Sequence, residues 1–242
     1  MLLFRSPTTT VKLALALALA PTIASAQVGH TPARSPFQDI PKGHTVTAIG
    51  GLIQGSGGRF GIAPHDGAAF GIRYDIRTAS AIQMGISVTQ ATLERVIVDP
   101  FVELENRVSG PLDQTVTFAE FDLQFNLTGG KSWRRLAPFV GVGGGLTFAG
   151  RTAADTSGFN FGRKFYFVPH AGLRVFVTER LHLRTEARLA FWKVEYPESF
   201  TREPPLQPGA PGAPNAVIPD MRVSEWTATP WFQVGLAYSF SP

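Results

Sequence analysis

The chain is built largely of segments in which apolar and polar residues alternate. Residues 181–191, LHLRTEARLAF, show the pattern most sharply, with an apolar residue at most of the odd positions. The residue types favour a helix, but a helix would place Arg184 beside Phe191 on the apolar stripe. A period of two belongs to a strand, because successive side chains point to opposite faces. We therefore predict a strand with one apolar and one charged face.

Similar alternation along the chain predicts about eight strands, with no convincing amphipathic helix. The predicted strands are 44–55, 67–77, 81–90, 117–128, 137–148, 164–176, 181–191 and 227–240. Short connections follow the second, fourth and sixth strands, whereas long loops, including residues 98–114, follow the others. Short turns at one end and long loops at the other are typical of membrane barrels. Pro169 falls inside a predicted strand, and a local bulge is expected there.

The first 26 residues have the parts of a secretory signal peptide in order. Arg5 and Lys12 supply the positive charge, residues 13–20 the short apolar core, and residues 24–26 (Ala-Ser-Ala) the cleavage site. A membrane-spanning helix would need about 20 apolar residues, and the apolar run here is much shorter. The predicted organisation is a signal peptide over 1–26, a periplasmic lead without stable structure over 27–43, and a barrel over 44–240 with a long flexible external loop over 197–224.

Composition narrows the chemistry further. The chain has no cysteine, which excludes disulfides, a cysteine-ligated metal and a lipidated N-terminal cysteine. Removal of the signal peptide would take away Arg5 and Lys12, so 20 of the 22 basic residues would face 18 acidic ones. A charge so close to neutral, with no dense basic cluster, gives no reason to expect a nucleic-acid partner. The five histidines show no recognisable metal spacing, and no cofactor or metal is expected.

The polar face of the predicted strands combines small residues with charges of both signs. Gly141, Gly143 and Gly145 form a stripe on one strand, which suits a crowded interior better than a solvated surface. The interior of an eight-stranded barrel is just wide enough for side chains to fill, and buried charges there must pair. The predicted lumen ion-pair network consists of Arg73, Asp75, Arg77, Glu120, Asp122, Arg174, Arg184, Glu186 and Arg188.

Aromatic residues collect near the ends of the predicted strands, where a membrane barrel has interfacial girdles. The predicted girdle consists of Trp133, Phe191, Trp192, Tyr196, Trp226, Trp231, Tyr238 and Phe240. The apolar face persists for about five alternate positions per strand, which matches the length that a tilted strand needs to cross a membrane. In the alternative arrangement, a soluble secreted barrel, this apolar face would form the core instead.

These features together resemble the small eight-stranded outer-membrane β-barrel proteins, the broad class of outer-membrane proteins A, W and X. The resemblance covers residues 44–240 and is most specific at the C-terminus. There Val234, Leu236, Tyr238 and Phe240 are similar to the signal read by the barrel-assembly machinery, although two further residues follow Phe240. The resemblance implies an all-β, closed, antiparallel up-and-down transmembrane barrel in the outer membrane of a Gram-negative-type bacterium, with outer-membrane lipid and the assembly machinery as partners.

Three functional hypotheses follow. The first is a structural or surface-interaction protein, with a lumen plugged by ion pairs and long external loops that meet an extracellular ligand or surface partner. The second is a channel or gateway for small hydrophobic molecules of the outer-membrane protein W type. The third is a soluble, secreted, lipocalin-like ligand-binding barrel. A lipid A-modifying barrel enzyme is a further alternative, since His170, His182 and Glu186 share the lumen face. Enzymatic activity is not expected, because the sequence does not meet the geometric criteria for a catalytic site.

Overall fold

The computed structural model describes residues 35–40 and 43–241, so the predicted signal peptide lies outside the described residues. Eight long strands form one barrel, and two short strands, β1 and β6, lie outside its ring. The strands are β1 (Phe37–Asp39), β2 (His44–Ile53), β3 (His65–Arg77), β4 (Ile82–Val98), β5 (Val108–Asn126), β6 (Lys131–Trp133), β7 (Leu136–Ala149), β8 (Arg163–Phe176), β9 (Leu181–Glu195) and β10 (Ser224–Phe240). Short 3-10 turns cover Leu104–Asn106 and Glu198–Thr201.

The ring is closed by antiparallel pairing throughout. Each long strand pairs with the long strand before and after it in the chain, including β7 with β8. The last strand, β10, pairs with the first long strand, β2, from Trp231 opposite Ile53 to Phe240 opposite His44. The prediction of an all-β, closed, antiparallel, eight-stranded barrel is therefore confirmed. Within the described part of the chain, no helix is both long and apolar enough to cross a membrane.

The alternating sequence pattern becomes an inside-out distribution of side chains. In β4, Ile86 and Val88 are 59% and 52% exposed on the outer surface, while Ser87 between them is buried. In β9, Arg184, Glu186 and the other even-numbered polar residues point inward and are buried. The barrel thus has two ends, which we call the turn end, where β3–β4 and β8–β9 join by short turns, and the loop end, with the long connections 54–64, 99–107, 150–162 and 196–223.

The β4–β5 hairpin is longer than predicted. Its strands continue beyond residues 81–90 and 117–128, so the connection shrinks from 98–114 to 99–107. Pairing resumes at Ile97 opposite Ser109, after a register shift that leaves Pro111 outside the ladder. A bulge of this kind tolerates a proline, which has no N–H to donate to its neighbour. The two strands therefore pair across a segment whose proline and glycine residues predict a loop.

Two further expectations about local structure are wrong. Residues 37–39, in the lead expected to lack stable structure, form β1 and pair with β6. This pairing uses backbone groups, which side-chain patterns do not report. The bulge expected at Pro169 is absent, because Phe167 opposite Phe191 and His170 opposite Arg188 keep one register. The β8–β9 ladder is only interrupted at Pro169, without an inserted residue.

Candidate functional site

The barrel interior has two layers of different chemistry. The half toward the turn end holds buried charged and amide side chains, whereas the half toward the loop end holds a cluster of buried apolar and aromatic ones. The structure buries eight of the nine residues predicted to form the lumen network, all except Arg77. Arg77 lies at the end of β3, half-buried, and its guanidinium donates a hydrogen bond to the carbonyl of Ile40.

Glu120 on β5 and Arg188 on β9 meet across the centre of the lumen. Arg188 Nη2 lies 2.5 and 2.6 Å from the two carboxylate oxygens of Glu120. The hydroxyl of Tyr166 also donates to Glu120 Oε2 at 2.8 Å. Both partners of the ion pair are 1% exposed at their side chains, so water does not weaken the attraction between them. This pair joins two strands that are not neighbours in the ring.

A second group of contacts centres on Asp122. His170 Nε2 lies 2.6 Å from Asp122 Oδ2, and Arg73 contacts the other oxygen of the same carboxylate. Arg73 Nε donates to Asp75 Oδ1 at 2.8 Å, so one guanidinium links two carboxylates. Asp75 also lies 3.9 Å from Arg184 Nη1, which extends the contacts to β9.

The remaining carboxylate, Glu186, accepts hydrogen bonds from two different strands. Arg184 Nε donates to one oxygen, and Gln233 Nε2 donates to the other at 2.6 Å. Arg188 Nε lies 3.8 Å away from the same carboxylate. Four carboxylates and three arginines therefore form one continuous network across the interior, with no solvated surface involved.

Tyr166 and Gln233 also belong to this network, but they were not predicted from the sequence. Tyr166 lies in the aromatic run KFYFV, where its inward direction is visible only from its parity with Val168 and His170. Gln233 is on the predicted polar face but carries no charge, whereas the predicted network consisted of charged residues alone. Strand parity was the signal that could have found both.

The glycine stripe of β7 gives the network its space. A Cβ at Gly141 would lie 2.5 Å from His170 Nε2, and one at Gly143 would lie 2.8 Å from the carboxylate of Glu120. Gly144, which follows Gly143 and lies on the outer face, has nothing closer than 3.6 Å to such a Cβ. Small residues on the inner side of β7 thus let the long side chains of neighbouring strands cross the lumen.

Three residues of the predicted aromatic girdle are placed differently by the structure. Trp192, Trp231 and Tyr196 are 2%, 1% and 6% exposed and belong to the interior apolar cluster. Trp192 has the parity of Arg188, and Trp231 has the parity of Gln233, so their strands turn them inward. The other five, Trp133, Phe191, Trp226, Tyr238 and Phe240, lie at least partly exposed on the outer surface.

The apolar half of the interior is closed by residues from the long loops. Phe159 and Phe161 from one loop, and Phe200 and Ile218 from another, are buried in the cluster with Trp192. The ring centroids of Phe161 and Trp192 are 6.0 Å apart, in an edge-to-face arrangement. The loop over 197–224, predicted to be flexible, is therefore anchored in the barrel at two points.

A charged contact at the loop end ties the first long loop to the last. Arg59 Nη1 lies 3.1 Å from Asp220 Oδ2, and the backbone N–H of Arg59 donates to Glu225 Oε1 at 2.7 Å. The hydroxyl of Tyr196 donates to Glu225, and burial together with this hydrogen bond raises the pKa of Tyr196 to about 12. The backbone N–H of Arg222 and the charge of Arg59 lower the pKa of Asp220. The Arg59–Asp220 pair thus keeps its charges at neutral pH.

Within residues 35–40 and 43–241, no group of three or more histidine, aspartate or glutamate side chains could hold a metal ion. The imidazole and carboxylate pair of His170 and Asp122 is committed to the ion-pair network, because Arg73 holds the same carboxylate. The contacts of the ion-pair network fix the strands of the barrel wall to each other.

The barrel has a closed ring of eight strands, an apolar outer face and a charged interior. These features define a small eight-stranded β-barrel of the outer-membrane type. No family model and no curated protein matches the chain. Among solved structures it is similar to Neisserial surface protein A, with 12% identity and a TM-score of 0.48 over 85% of this chain and 98% of that one.

Two other similar structures are outer membrane protein OprG from Pseudomonas aeruginosa and the attachment invasion locus protein Ail of Yersinia pestis. OprG has 12% identity and a TM-score of 0.44, covering 83% of this chain and 97% of its own. Ail, solved in complex with the heparin analogue sucrose octasulfate, has 11% identity and a TM-score of 0.37, covering 81% and 99%. At these identities the likeness is one of fold alone.

Proposed function

We propose that the protein is an integral outer-membrane protein, exported by its signal peptide, whose closed barrel has a structural or surface-interaction role. The observation that carries this proposal is the inverted burial: charged residues fill the interior, while large apolar residues cover the outside. Phe70, Ile72 and Leu236 are 67%, 58% and 54% exposed. Contiguous apolar surface of this extent is unfavourable in water and is favourable against lipid acyl chains.

The C-terminal strand has features that favour the barrel-assembly machinery as a further partner. Val234, Leu236 and Tyr238 are exposed on one face of β10, and Phe240 follows at the same parity. We propose that the barrel-assembly machinery recognises this row of outward apolar side chains on the last strand. In the folded ring the edge of this strand is paired with β2, so recognition would precede closure.

The filled interior favours a structural role over the two alternatives. A soluble ligand-binding barrel needs an apolar interior along its length, but here one half of the interior is charged. A gateway for hydrophobic molecules needs an apolar pocket at the loop end, and Phe159, Phe200 and Ile218 occupy the apolar region there. The loops therefore close the mouth and present their outer surfaces to a partner.

One exposed apolar region on the loops supports a partner outside the cell. Phe101 and Leu104 on the β4–β5 loop and Leu206 on the last loop are 51%, 43% and 65% exposed. The backbone N–H of Leu104 donates to Gln207 Oε1 at 2.9 Å, which brings the two loops together. Isolated exposed side chains are ordinary on a protein surface, but neighbouring ones mark a candidate contact region.

Protease treatment of intact cells tests the membrane topology. With the long loops outside, trypsin is expected to cut at Arg202 or Arg222, whose side chains are 76% and 81% exposed, and to spare the turn over 128–136. Cleavage in that turn should appear only after the outer membrane is permeabilised. Cleavage of the 128–136 turn in intact cells, or recovery of the protein from the soluble periplasm without detergent, would contradict the proposal.

Planar-bilayer recording distinguishes the structural role from the channel. The Glu120–Arg188 pair in the lumen and the buried loop residues at the mouth occupy the interior, so no porin-size conductance is expected. Purified porin in the same bilayers provides the positive control. Stable single-channel steps of porin size from the purified protein would favour the channel hypothesis instead.

A further inference from the structure

A groove interrupts the bulky apolar outer face of the barrel over β8, β9 and β10. Its floor contains Ala171, Thr185 and Ala187, and Ala171 lies directly opposite Ala187 in the β8–β9 ladder. The larger side chains of Leu173 and Phe232 also line the groove, which has a volume of about 530 Å³. Small outward residues between large ones thus leave a concave surface on the wall.

The groove continues along the strands, away from the turn end. A second depression, of about 440 Å³, shares Ala171, Ala187 and Phe232 with the first and reaches Pro169 and Pro230. Together the two depressions cover four residue steps of β8, which correspond to about 13 Å of strand. A groove that is elongated and lined mainly by apolar side chains suits an extended hydrocarbon chain.

Two arginines lie at the turn end of the same strands. Arg180 belongs to the exposed turn that joins β8 to β9, and its Nη1 donates to the hydroxyl of Tyr238 at 3.3 Å. Arg135 Nη1 donates to the carbonyl of Val177 in the same turn, also at 3.3 Å. Although Glu179 is in this turn, no carboxylate oxygen of the described residues lies within 4.0 Å of either guanidinium nitrogen set. Both positive charges are therefore available to a ligand.

The distance between these arginines and the groove matches one leaflet of a bilayer. Thr185 and Leu189 lie five and nine residues beyond Arg180, which corresponds to depths of about 12 and 21 Å for a strand tilted by about 45°. Half of a bilayer, including its headgroup region, is about 20–22 Å thick. A lipid whose headgroup contacts Arg180 would therefore place the terminal half of a chain in the groove.

A smaller depression elsewhere on the wall lacks this combination. It has a volume of about 200 Å³ and lies over β2, β3 and β4, where Val46, Ile72 and Val88 line it. The nearest turn, residues 78–81 (Thr-Ala-Ser-Ala), carries no charge. The coincidence of a groove with basic side chains is thus specific to the β8–β10 side of the barrel.

We propose that this groove binds one phospholipid with an anionic headgroup, from the leaflet at the turn end, with an acyl chain on the small-residue floor and the phosphate at Arg180 and Arg135. The inference rests on the proposed membrane location and adds a specific ligand to it. Guanidinium groups form charge-assisted hydrogen bonds with phosphate, and basic groups beside a membrane attract anionic headgroups. A second copy of the chain fits less well, because a two-fold interface would set the same concave groove against itself.

Native mass spectrometry of the detergent-solubilised barrel tests the site. The protein is titrated with phosphatidylglycerol and, separately, with phosphatidylcholine that carries the same acyl chains. One phosphatidylglycerol per barrel is expected to bind about fivefold more tightly than phosphatidylcholine, the selectivity that one arginine near an anionic headgroup provides. Equal affinity for the two lipids, or binding without a one-to-one limit, would overturn the proposal.

Two substitutions separate the headgroup contact from the groove. Arg180→Gln is expected to remove most of the preference for phosphatidylglycerol while phosphatidylcholine binds as before. Ala187→Phe fills the floor and should weaken both lipids by at least about fivefold. The matched controls are Arg202→Gln, at a loop arginine with a 76% exposed side chain, and Ala119→Phe, on the outer face of β5 three strands from β9; both should bind as the unaltered protein does.

Retention of the full preference by Arg180→Gln would sink the headgroup contact, and with it the site. Because Arg180 lies in an exposed turn outside the barrel wall, this variant keeps the test decisive if Ala187→Phe does not fold.

Flotation with phosphatidylcholine vesicles distinguishes failure of the lipid site from failure of the proposed function. Protein that floats with the vesicles but shows no lipid preference would overturn the site and leave the membrane location intact. Protein that stays soluble without detergent and does not float would overturn both.

Discussion

Replacing Glu120 with alanine is expected to lower the free energy of unfolding by about 3–5 kcal/mol, the usual cost of removing one partner from a buried ion pair. The substitution would leave Arg188 buried without its two-oxygen contact and would take away the acceptor of the Tyr166 hydroxyl. Equilibrium unfolding in urea, on protein folded in lipid vesicles, measures the change. The indole of Trp231, 4.4 Å from the Arg188 guanidinium carbon, provides a fluorescence signal at the site itself.

Two control variants separate the lumen pair from general effects of losing a carboxylate. Glu198→Ala breaks an ion pair with Arg202 whose side chains are 89% and 76% exposed, and it is expected to change the free energy of unfolding by less than about 0.5 kcal/mol. A double replacement, Glu120→Met with Arg188→Met, should recover much of the lost stability, because no unpaired charge remains. Equal costs for Glu120→Ala and Glu198→Ala would contradict the network's role.

The fold was predictable from sequence because each barrel strand separates two environments. Alternation at Ile86, Ser87 and Val88 survives in the structure as exposed, buried and exposed residues. The same parity indicates which side chains enter the lumen, and the assignment of Arg184 and Glu186 to one inward face required nothing else. Strand ends were harder to predict. Backbone pairing extends β4 and β5 through a bulge at Pro111, although the sequence there predicts a loop.

Partner choice inside the lumen was not predictable, because it depends on register between strands far apart in sequence. Glu120 and Arg188 are separated by 68 residues, and Asp122 and His170 by 48. The count of charges gave near balance, but it did not show which arginine would lie beyond direct contact with the four carboxylates. Among the described residues, those carboxylates contact Arg73, Arg184 and Arg188 and not Arg174.

The apolar layer at the loop end was missed for a different reason. Phe159, Phe200 and Ile218 come from loops without hydrophobic periodicity, so no pattern marks them as buried. Trp192 and Trp231 were assigned to the girdle because they lie near strand ends, although their parity points inward. Nearness to an interface is therefore a weaker guide than parity for an aromatic residue on a barrel strand.

These two layers give the barrel different means of stabilisation at its two ends. The turn-end half depends on directed contacts between charges, which fix the strands relative to each other. The loop-end half depends on apolar packing, to which the loops contribute side chains, and on the Arg59 contact with Asp220 that joins the first loop to the last. A surface partner would therefore meet loops that are held by the barrel beneath them.

Replacing Val88 with arginine should decide whether the apolar outer face meets lipid or water. Val88 is 52% exposed on β4, six residues from the turn end, which places it about 14 Å into the barrel wall for a strand tilted by about 45°. An arginine on the lipid face near the membrane midplane costs about 2–4 kcal/mol. Urea titration of folding into lipid vesicles is expected to show a loss of that size.

Val108→Arg is the matched control on the same hairpin. Val108 is 64% exposed at the start of β5, beside the loop over 99–107, where an outer-membrane barrel extends beyond the bilayer. The control should cost about 0–1 kcal/mol, the value for positions near or outside the interface. In a water-soluble barrel both substitutions would be near neutral, because each places a charge on a solvated surface. A Val88→Arg cost as small as that of Val108→Arg would therefore contradict the membrane assignment, while a difference of about 2 kcal/mol or more supports it.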